Sequence, residues 1–339
     1  MNCQILRRLS LRTASINLCS SVIQYAQRIR RLRQAKKISI KRSEQPASAG
    51  DFAMEHLRIA ALHDISGFGR GSMTTAVSVC AAAGIQCCPL VGAVLSAHTA
   101  YPNVTIRDLT EDLPSCVANW QAIGCQFDGF YSGYMSDIRQ AAQMLALYET
   151  CAKPGSLLVV DPVMGDNGKA YAGAFGPEFA GKMAEYCGRA HVITPNLTEA
   201  AMLLGQEPDV WRNNPDFIES CLDRLLQLGC GAVVVTGVRD GAGNIGAVYQ
   251  TRQGEKGSAF RPQVGAYFPG TGDLFTSVLT AALLRGGLDQ LNWAVSVAVD
   301  FVQSCILQTH NADTPPLEGV LLEEALPSLW KMLKRKHKK

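Results

Sequence analysis

The chain has 339 residues, 47% hydrophobic and 18% charged, with 31 glycines and 7% aromatic side chains, which excludes wholesale disorder and favours a glycine-cornered α/β protein over an aromatic-rich sandwich. Its net charge of +3 averages two unlike parts: residues 1–50 carry 11 of the 32 Lys and Arg against the acid Glu44, leaving 21 bases against 28 acids in the rest, a net of −7. A mildly acidic body offers no global basic patch, so nucleic acid is not an expected partner.

Residues 1–53 contain RIRRLRQAKK, are rich in Ser and Arg, and lack a core periodicity. Such a segment is an organellar transit peptide, a nucleic-acid-binding arm, or translated sequence ahead of a start at Met54. The third is favoured, because the first strand follows at once. The expected organisation is a basic extension over 1–53 and one domain over 54–339. LRIAAL (57–62), QCCPLVGAVL (86–95), FDGFYSG (127–133), SLLVVD (156–161), AHVIT (190–194) and GAVVVT (231–236) read as strands, most of them continuously apolar, as strands buried on both faces are. Helices are predicted near 72–83, 137–151, 177–187, 197–204 and 215–228, hairpin strands over 244–260, and long apolar helices over 272–286 and 291–307. This alternation predicts a mostly parallel sheet flanked by helices.

The uncharged run from Gly71 to Ile106 is interrupted by Gly84, Pro89 and Gly92, so it reads as a buried helix and strand rather than a membrane span. The twelve cysteines lack C-x-x-C spacing, and no zinc site is legible among them and the six histidines. Free thiols in a reducing cytoplasm are expected, with Cys87 and Cys88 as packing residues. The terminal KMLKRKHKK reads as a solvated helix end.

The sharpest chemical signal is PGTGDLF at 269–275. Gly270, Thr271 and Gly272 turn the backbone so that unpaired N–H groups at a helix start converge on one spot, an anion hole suited to a phosphoryl oxygen. Asp273, in the first turn, is placed to accept a proton from an attacking alcohol. Alone, that aspartate would read as a helix-terminal charge. SLLVVDPVMGDNG, however, delivers Asp161 and Asp166 to the carboxyl end of a strand, the rim where open α/β sheets bind ligands. AHVITPNLTEA ends another strand at Thr194 and starts a helix carrying Glu199. Carboxylates gathered on one rim repel, and Mg²⁺ with a triphosphate is the natural compensation.

GTGDLF (270–275), DPVMGD (161–166) and TPNLTE (194–199), in this order, resemble the ribokinase-like superfamily, and LSAHTAYP (95–102) with YSGYMSD (131–137) narrow the resemblance to its vitamin B6 kinase branch. The resemblance covers about residues 57–310. It implies a three-layer α/β fold and an ATP-dependent kinase of the 5′-hydroxymethyl group of pyridoxal, pyridoxine or pyridoxamine. Asp273 would be the base, with Gly270, Thr271 and Gly272 forming the anion hole. Asp166, Asn196 and Glu199 would act around Mg²⁺ and the phosphates, Thr236 would stand on the nucleotide side, and Asp161 would help organise a monovalent cation such as K⁺. Thr99 and Tyr134, supported by His98, would line the ring pocket. A cytoplasmic homodimer is also implied.

The loop HDISGFGRGS departs from the Gln-Ser-His run of many pyridoxal kinases and from the Ser-Asp-Pro-Ser-Gly-Gly loop of hydroxymethylpyrimidine kinases. Either Asp64 or Ser66 supplies the ring contact. His63 is expected to be a hydrogen-bonded interior histidine. Two other functions stay open: a hydroxymethylpyrimidine or other small-alcohol kinase of the same fold, and a catalytically silent ligand-binding protein.

Overall fold

A computed structural model describes residues 56–334 apart from 174, 215 and 266. The expected extension over 1–53 and the last five residues lie outside the described residues. A nine-stranded sheet runs, in spatial order, β11 (Lys256–Pro262), β10 (Asn244–Thr251), β9 (Ala232–Arg239), β8 (Val192–Ile193), β5 (Ala152–Val160), β4 (Phe127–Ser132), β1 (Arg58–Ser66), β2 (Gln86–Leu95) and β3 (Ile106–Asp108), and a separate ribbon pairs β6 (Gly165–Asp166) with β7 (Lys169–Ala170). The centre of the large sheet is parallel: β1, β2, β4, β5, β8 and β9. Antiparallel strands close both edges, β3 on one side and the hairpin β10 and β11 on the other.

Alternation along the strands builds two cores. Ala60, Leu62, Val233 and Val235 face one layer, with Met144, Met183 and Leu225 of its helices. Ile59, Ala232 and Val234 face the other, with Val79, Leu279 and Val295. The first layer comprises α2 (Leu113–Ala122), α3 (Arg139–Cys151), α4 (Pro177–Cys187), α5 (Leu197–Leu203) and α6 (Phe217–Leu226). The second comprises α1 (Ser72–Ala82), α7 (Thr271–Gly286), α8 (Leu291–Asn311) and α9 (Leu326–Lys334). The fold is therefore the expected ribokinase-like three-layer α/β arrangement. No helix among the described residues is long and apolar enough to cross a membrane.

Several local expectations need correction. β1 runs through Ser66, so Asp64 and Ser66 stand on a strand rather than in a loop, beyond an irregularity in the β1–β2 register between His63 and Asp64. The AHVIT strand shrinks to two residues, Val192–Ile193, although the Thr194 N–H still reaches the Val160 carbonyl and the Pro195 carbonyl still takes the Thr236 N–H. Thr236 does not end its strand, which continues to Arg239. The short edge strand β3 and the helix α2 went unread; the helix end expected from KMLKRKHKK is met by α9 through Lys334, although Leu329 and Leu333 of that helix are buried. His63 is interior, but neither ring nitrogen has a hydrogen-bond partner among the described residues. It packs edge-on against Tyr131 with ring centroids 4.3 Å apart, and burial drives its pKa down to about 3, leaving it neutral. Cys87 and Cys88 are half-buried.

From β1 the chain moves outward to β2 and β3, then returns to β4 on the opposite side of β1. Such a reversal opens a crevice at the carboxyl ends of the strands.

Candidate active site

That crevice is a cavity of about 580 Å³. Every residue singled out in the sequence lines it: Asp64 and Ser66 from β1, His98 and Thr99 after β2, Tyr134 after β4, Asp161 and Asp166 after β5, Asn196 and Glu199 at the start of α5, Thr236 on β9, and Gly270 to Asp273 at the start of α7.

The α7 entry explains its own sequence. Gly270 has φ 80°, and a Cβ there would lie 2.2 Å from the Arg70 carbonyl oxygen, so glycine is required twice over. No side chain caps the helix; the Thr271 hydroxyl turns back to the Phe268 carbonyl at 3.1 Å. A Cβ at Gly272 would meet nothing within 4 Å, which leaves open space over the first turn. Bare helical N–H groups beside that space are an anion-binding arrangement.

Asp273 stands half-buried at the floor of the cavity. Its Oδ2 accepts the Ser72 N–H at 2.8 Å, and the Tyr131 hydroxyl donates to its main-chain oxygen at 3.4 Å. Burial raises its pKa to about 7; the Ser72 N–H opposes this and the Asp64 charge adds to it. A carboxyl poised there is suited to proton transfer near neutral pH. One turn on, the Thr276 hydroxyl donates to Asp161 Oδ2 at 3.2 Å and lies 2.9 Å from the Thr194 hydroxyl. Burial, then the Asp273 charge, pushes Asp161 up to about 8.

Asn196 and Glu199 form a capping box at the start of α5. Glu199 also accepts the Met164 N–H at 3.2 Å, so both of its carboxylate oxygens are engaged by backbone donors. Burial raises its pKa well above the ordinary glutamate value. Asp166 is half-buried, and its two oxygens accept from the main-chain and side-chain nitrogens of Asn167. Among the described residues, no three His, Cys, Asp or Glu side chains converge as a ready-made metal cage.

At the other end of the cavity, the Ser66 hydroxyl donates to Asp64 Oδ2 at 2.8 Å. Burial raises Asp64 above the usual carboxylate range, against hydrogen bonds from Ser72 and Ser66. Tyr134 packs edge-on against Phe175 with centroids 5.8 Å apart. His98 is held by the Leu317 carbonyl and stacks near Tyr101, while Thr99 is exposed at the rim.

Sequence reading missed Ser72, Tyr171 and the apolar stripe Val299, Val302 and Ile306 of α8, all of which line the cavity. The stripe has helical spacing, which in sequence is indistinguishable from core. Ser72 has no chemical signature beyond its place after Gly71.

Four similarities to known proteins bear on this site. A family model described as Phosphomethylpyrimidine kinase matches residues 136–315. A protein described as a phosphomethylpyrimidine kinase from Bacteroides thetaiotaomicron, solved with pyridoxal, is 36% identical with a TM-score of 0.76, over 81% of this chain and 96% of that one. Pyridoxal kinase from Lactobacillus plantarum is 29% identical with a TM-score of 0.73, over 82% and 97%. The Dictyostelium discoideum pyridoxal kinase is 27% identical over 247 residues, 68% of this chain and 78% of the relative.

Proposed function

Because the chain belongs to the phosphomethylpyrimidine kinase family, in the vitamin B6 kinase branch of the ribokinase-like superfamily, we propose that it transfers the γ-phosphoryl group of ATP to the 5′-hydroxymethyl oxygen of a vitamin B6 ring. Membership already makes it a phosphotransferase with an alcohol acceptor. The observation that carries the finer reading is Asp273, a carboxylate with pKa about 7 beside an uncapped helix start on a cavity that also reaches Asn196 and Thr236.

In this reading the hydroxymethyl group faces Asp273 and the ring lies toward Asp64, Ser66, Thr99 and Tyr134, supported by His98. ATP enters from the side of Asn196 and Thr236. As the acceptor oxygen bonds to the γ-phosphorus, its proton passes to Asp273, because the alcohol is far too weak an acid to ionise beforehand. The bond from the γ-phosphorus to the β,γ-bridging oxygen breaks, and ADP leaves. The N–H groups of Gly270, Thr271 and Gly272 stabilise the oxygens of the transferring group, and positioning does most of the rest.

Mg²⁺ fits these residues as a partner of ATP rather than as a resident of a protein cage. Such an ion usually keeps several waters and takes one or two carboxylates plus phosphate oxygens, and Asp166 is the half-buried carboxylate available for it. Glu199, also on the cavity wall, is the second carboxylate for such an ion, and its two backbone N–H contacts hold the Asn196 turn as well. When bound, Mg²⁺ would neutralise phosphate charge. Asp161, with the Thr276 and Thr194 hydroxyls close by, offers the oxygen donors expected around a monovalent cation such as K⁺. Excess chelator should abolish turnover, and replacing K⁺ by a bulky organic cation should lower it.

A second acceptor, a hydroxymethyl aminopyrimidine, is favoured by one feature. Ser66 already donates to Asp64, so this pair presents acceptor oxygens to the ring, and an exocyclic amine would satisfy them. The deciding experiment incubates purified protein with Mg-ATP and each of pyridoxal, pyridoxine, pyridoxamine and hydroxymethylpyrimidine, with products read by mass spectrometry. Phosphorylation of a B6 vitamer supports the proposal. Product from hydroxymethylpyrimidine alone transfers it to the second acceptor, and tight binding without product overturns both. The implied homodimer is checked on the same preparation by sedimentation.

A further inference from the structure

Ser72, the first residue of α1, has φ +46°, a backbone conformation uncommon outside glycine. Gly71 before it is fully extended, with φ 178° and ψ 179°, so the chain turns abruptly between them. The turn brings two groups of one residue onto two carboxylates. The Ser72 N–H donates to Asp273 Oδ2 at 2.8 Å, and the Ser72 side chain stands close enough to the Asp64 carboxylate to hold its pKa down. Space around Asp273 is limited on both sides: a Cβ at Gly71 would lie 3.3 Å from Oδ2, and one at Gly133 would lie 3.6 Å from Oδ1.

An outlying backbone conformation at a cavity floor persists only where its surroundings hold it. Here α1 packs against both β1 and α7, the elements that carry the two carboxylates. We propose that Ser72 is a positioning residue for phosphoryl transfer: its left-handed backbone aims an N–H at Oδ2 of Asp273, turning Oδ1 toward the acceptor hydroxyl. This rests on the reading of Asp273 as the base. Ser72 neither gives nor takes a proton in the step; the acceptor's proton goes to Asp273 Oδ1 as the new O–P bond forms. Aim matters because a small misplacement of a catalytic group costs rate without costing ground-state affinity.

The test removes the N–H alone. A backbone ester at the Gly71–Ser72 linkage, introduced with the α-hydroxy analogue of serine, keeps the side chain and deletes the donor. Single-turnover phosphorylation of pyridoxal by the full chain with Mg-ATP should slow by about tenfold or more, with the ATP dissociation constant changed by less than about twofold. Ser72→Gly, which reaches positive φ freely and keeps the N–H, should lose no more than about threefold. Ser72→Val, β-branched and opposed to positive φ, should lose as much as the ester.

The decisive measurement places the ester in an Asp273→Asn background. With no base left to aim, it should change the residual rate by less than about twofold. An ester that slows Asp273→Asn as much as the unsubstituted protein, or one that leaves the unsubstituted protein at full rate, overturns the positioning role while leaving the base intact. Normal turnover by Asp273→Asn itself overturns the base and, with it, this role.

Discussion

Asn196 and Glu199 hold each other at the start of α5: the Asn196 side chain accepts the Glu199 N–H at 3.0 Å, and Glu199 Oε2 accepts the Asn196 N–H at 2.9 Å. The second glutamate oxygen takes the Met164 N–H, so one buried side chain ties the segment after β5 to the segment after β8. Glu199→Ala leaves two backbone donors without their acceptor, which should cost about 1–3 kcal/mol. Glu199→Gln, which keeps an oxygen acceptor, should cost less. Thermal unfolding of the two variants checks this, and equal losses would mean that the backbone contacts are not what Glu199 supplies.

Asp273→Asn keeps size and most hydrogen bonding but removes the proton acceptor. A general base contributes about 10²–10⁴-fold, so kcat should fall by that order with ATP affinity little changed. A helix-capping role predicts the opposite, since Asn caps nearly as well as Asp. Single-turnover rates beside melting curves separate the two.

Activity should fall on the acid side as pH drops below about 7, because Asp273 must be ionised to accept a proton and burial has raised its pKa to that value. The Asp64 charge contributes to the raised value. Removing it in Asp64→Asn eases ionisation of Asp273, so the acid limb of kcat should move to lower pH. A limb that stays in place or moves upward would disconnect the two carboxylates.

The two glycines of the anion loop should fail differently. Gly270→Ala meets the Arg70 carbonyl and a positive φ, so it should destabilise the fold by about 2 kcal/mol or more. Gly272→Ala points its methyl into open space. It should melt within about 0.5 kcal/mol of the parent yet lose turnover, because the proposed function puts the transferring phosphoryl group in that space. Full activity in Gly272→Ala would remove the loop from the phosphate site.

Tyr134→Ala and Thr99→Ala should weaken vitamer binding more than ATP binding, since both residues line the cavity near Asp64 rather than near Thr236. Calorimetric titration of each ligand tests the division, and parallel losses for both would contradict it.

Much of this was legible in one dimension because it is local. Two glycines around Thr271 and an aspartate in the first turn specify a helix start with free N–H groups wherever the helix ends up. Apolar runs such as Ala232–Val235 in GAVVVT announce a strand buried on both faces, and Asn196 with Glu199 three residues on announces a cap. Tertiary structure decided what depends on distance between segments. That Glu199 accepts a second backbone N–H besides that of Asn196 turns on where Met164 lies. Whether Asp64 and Ser66 form one acceptor unit turns on how far β1 continues past its register irregularity. Ser72, a serine like any other in the sequence, meets Asp273 only because α1 and α7 pack side by side, 201 residues apart in the chain. Hydrogen-bond geometry and the burial that sets each pKa arise from packing, and packing has no local signature.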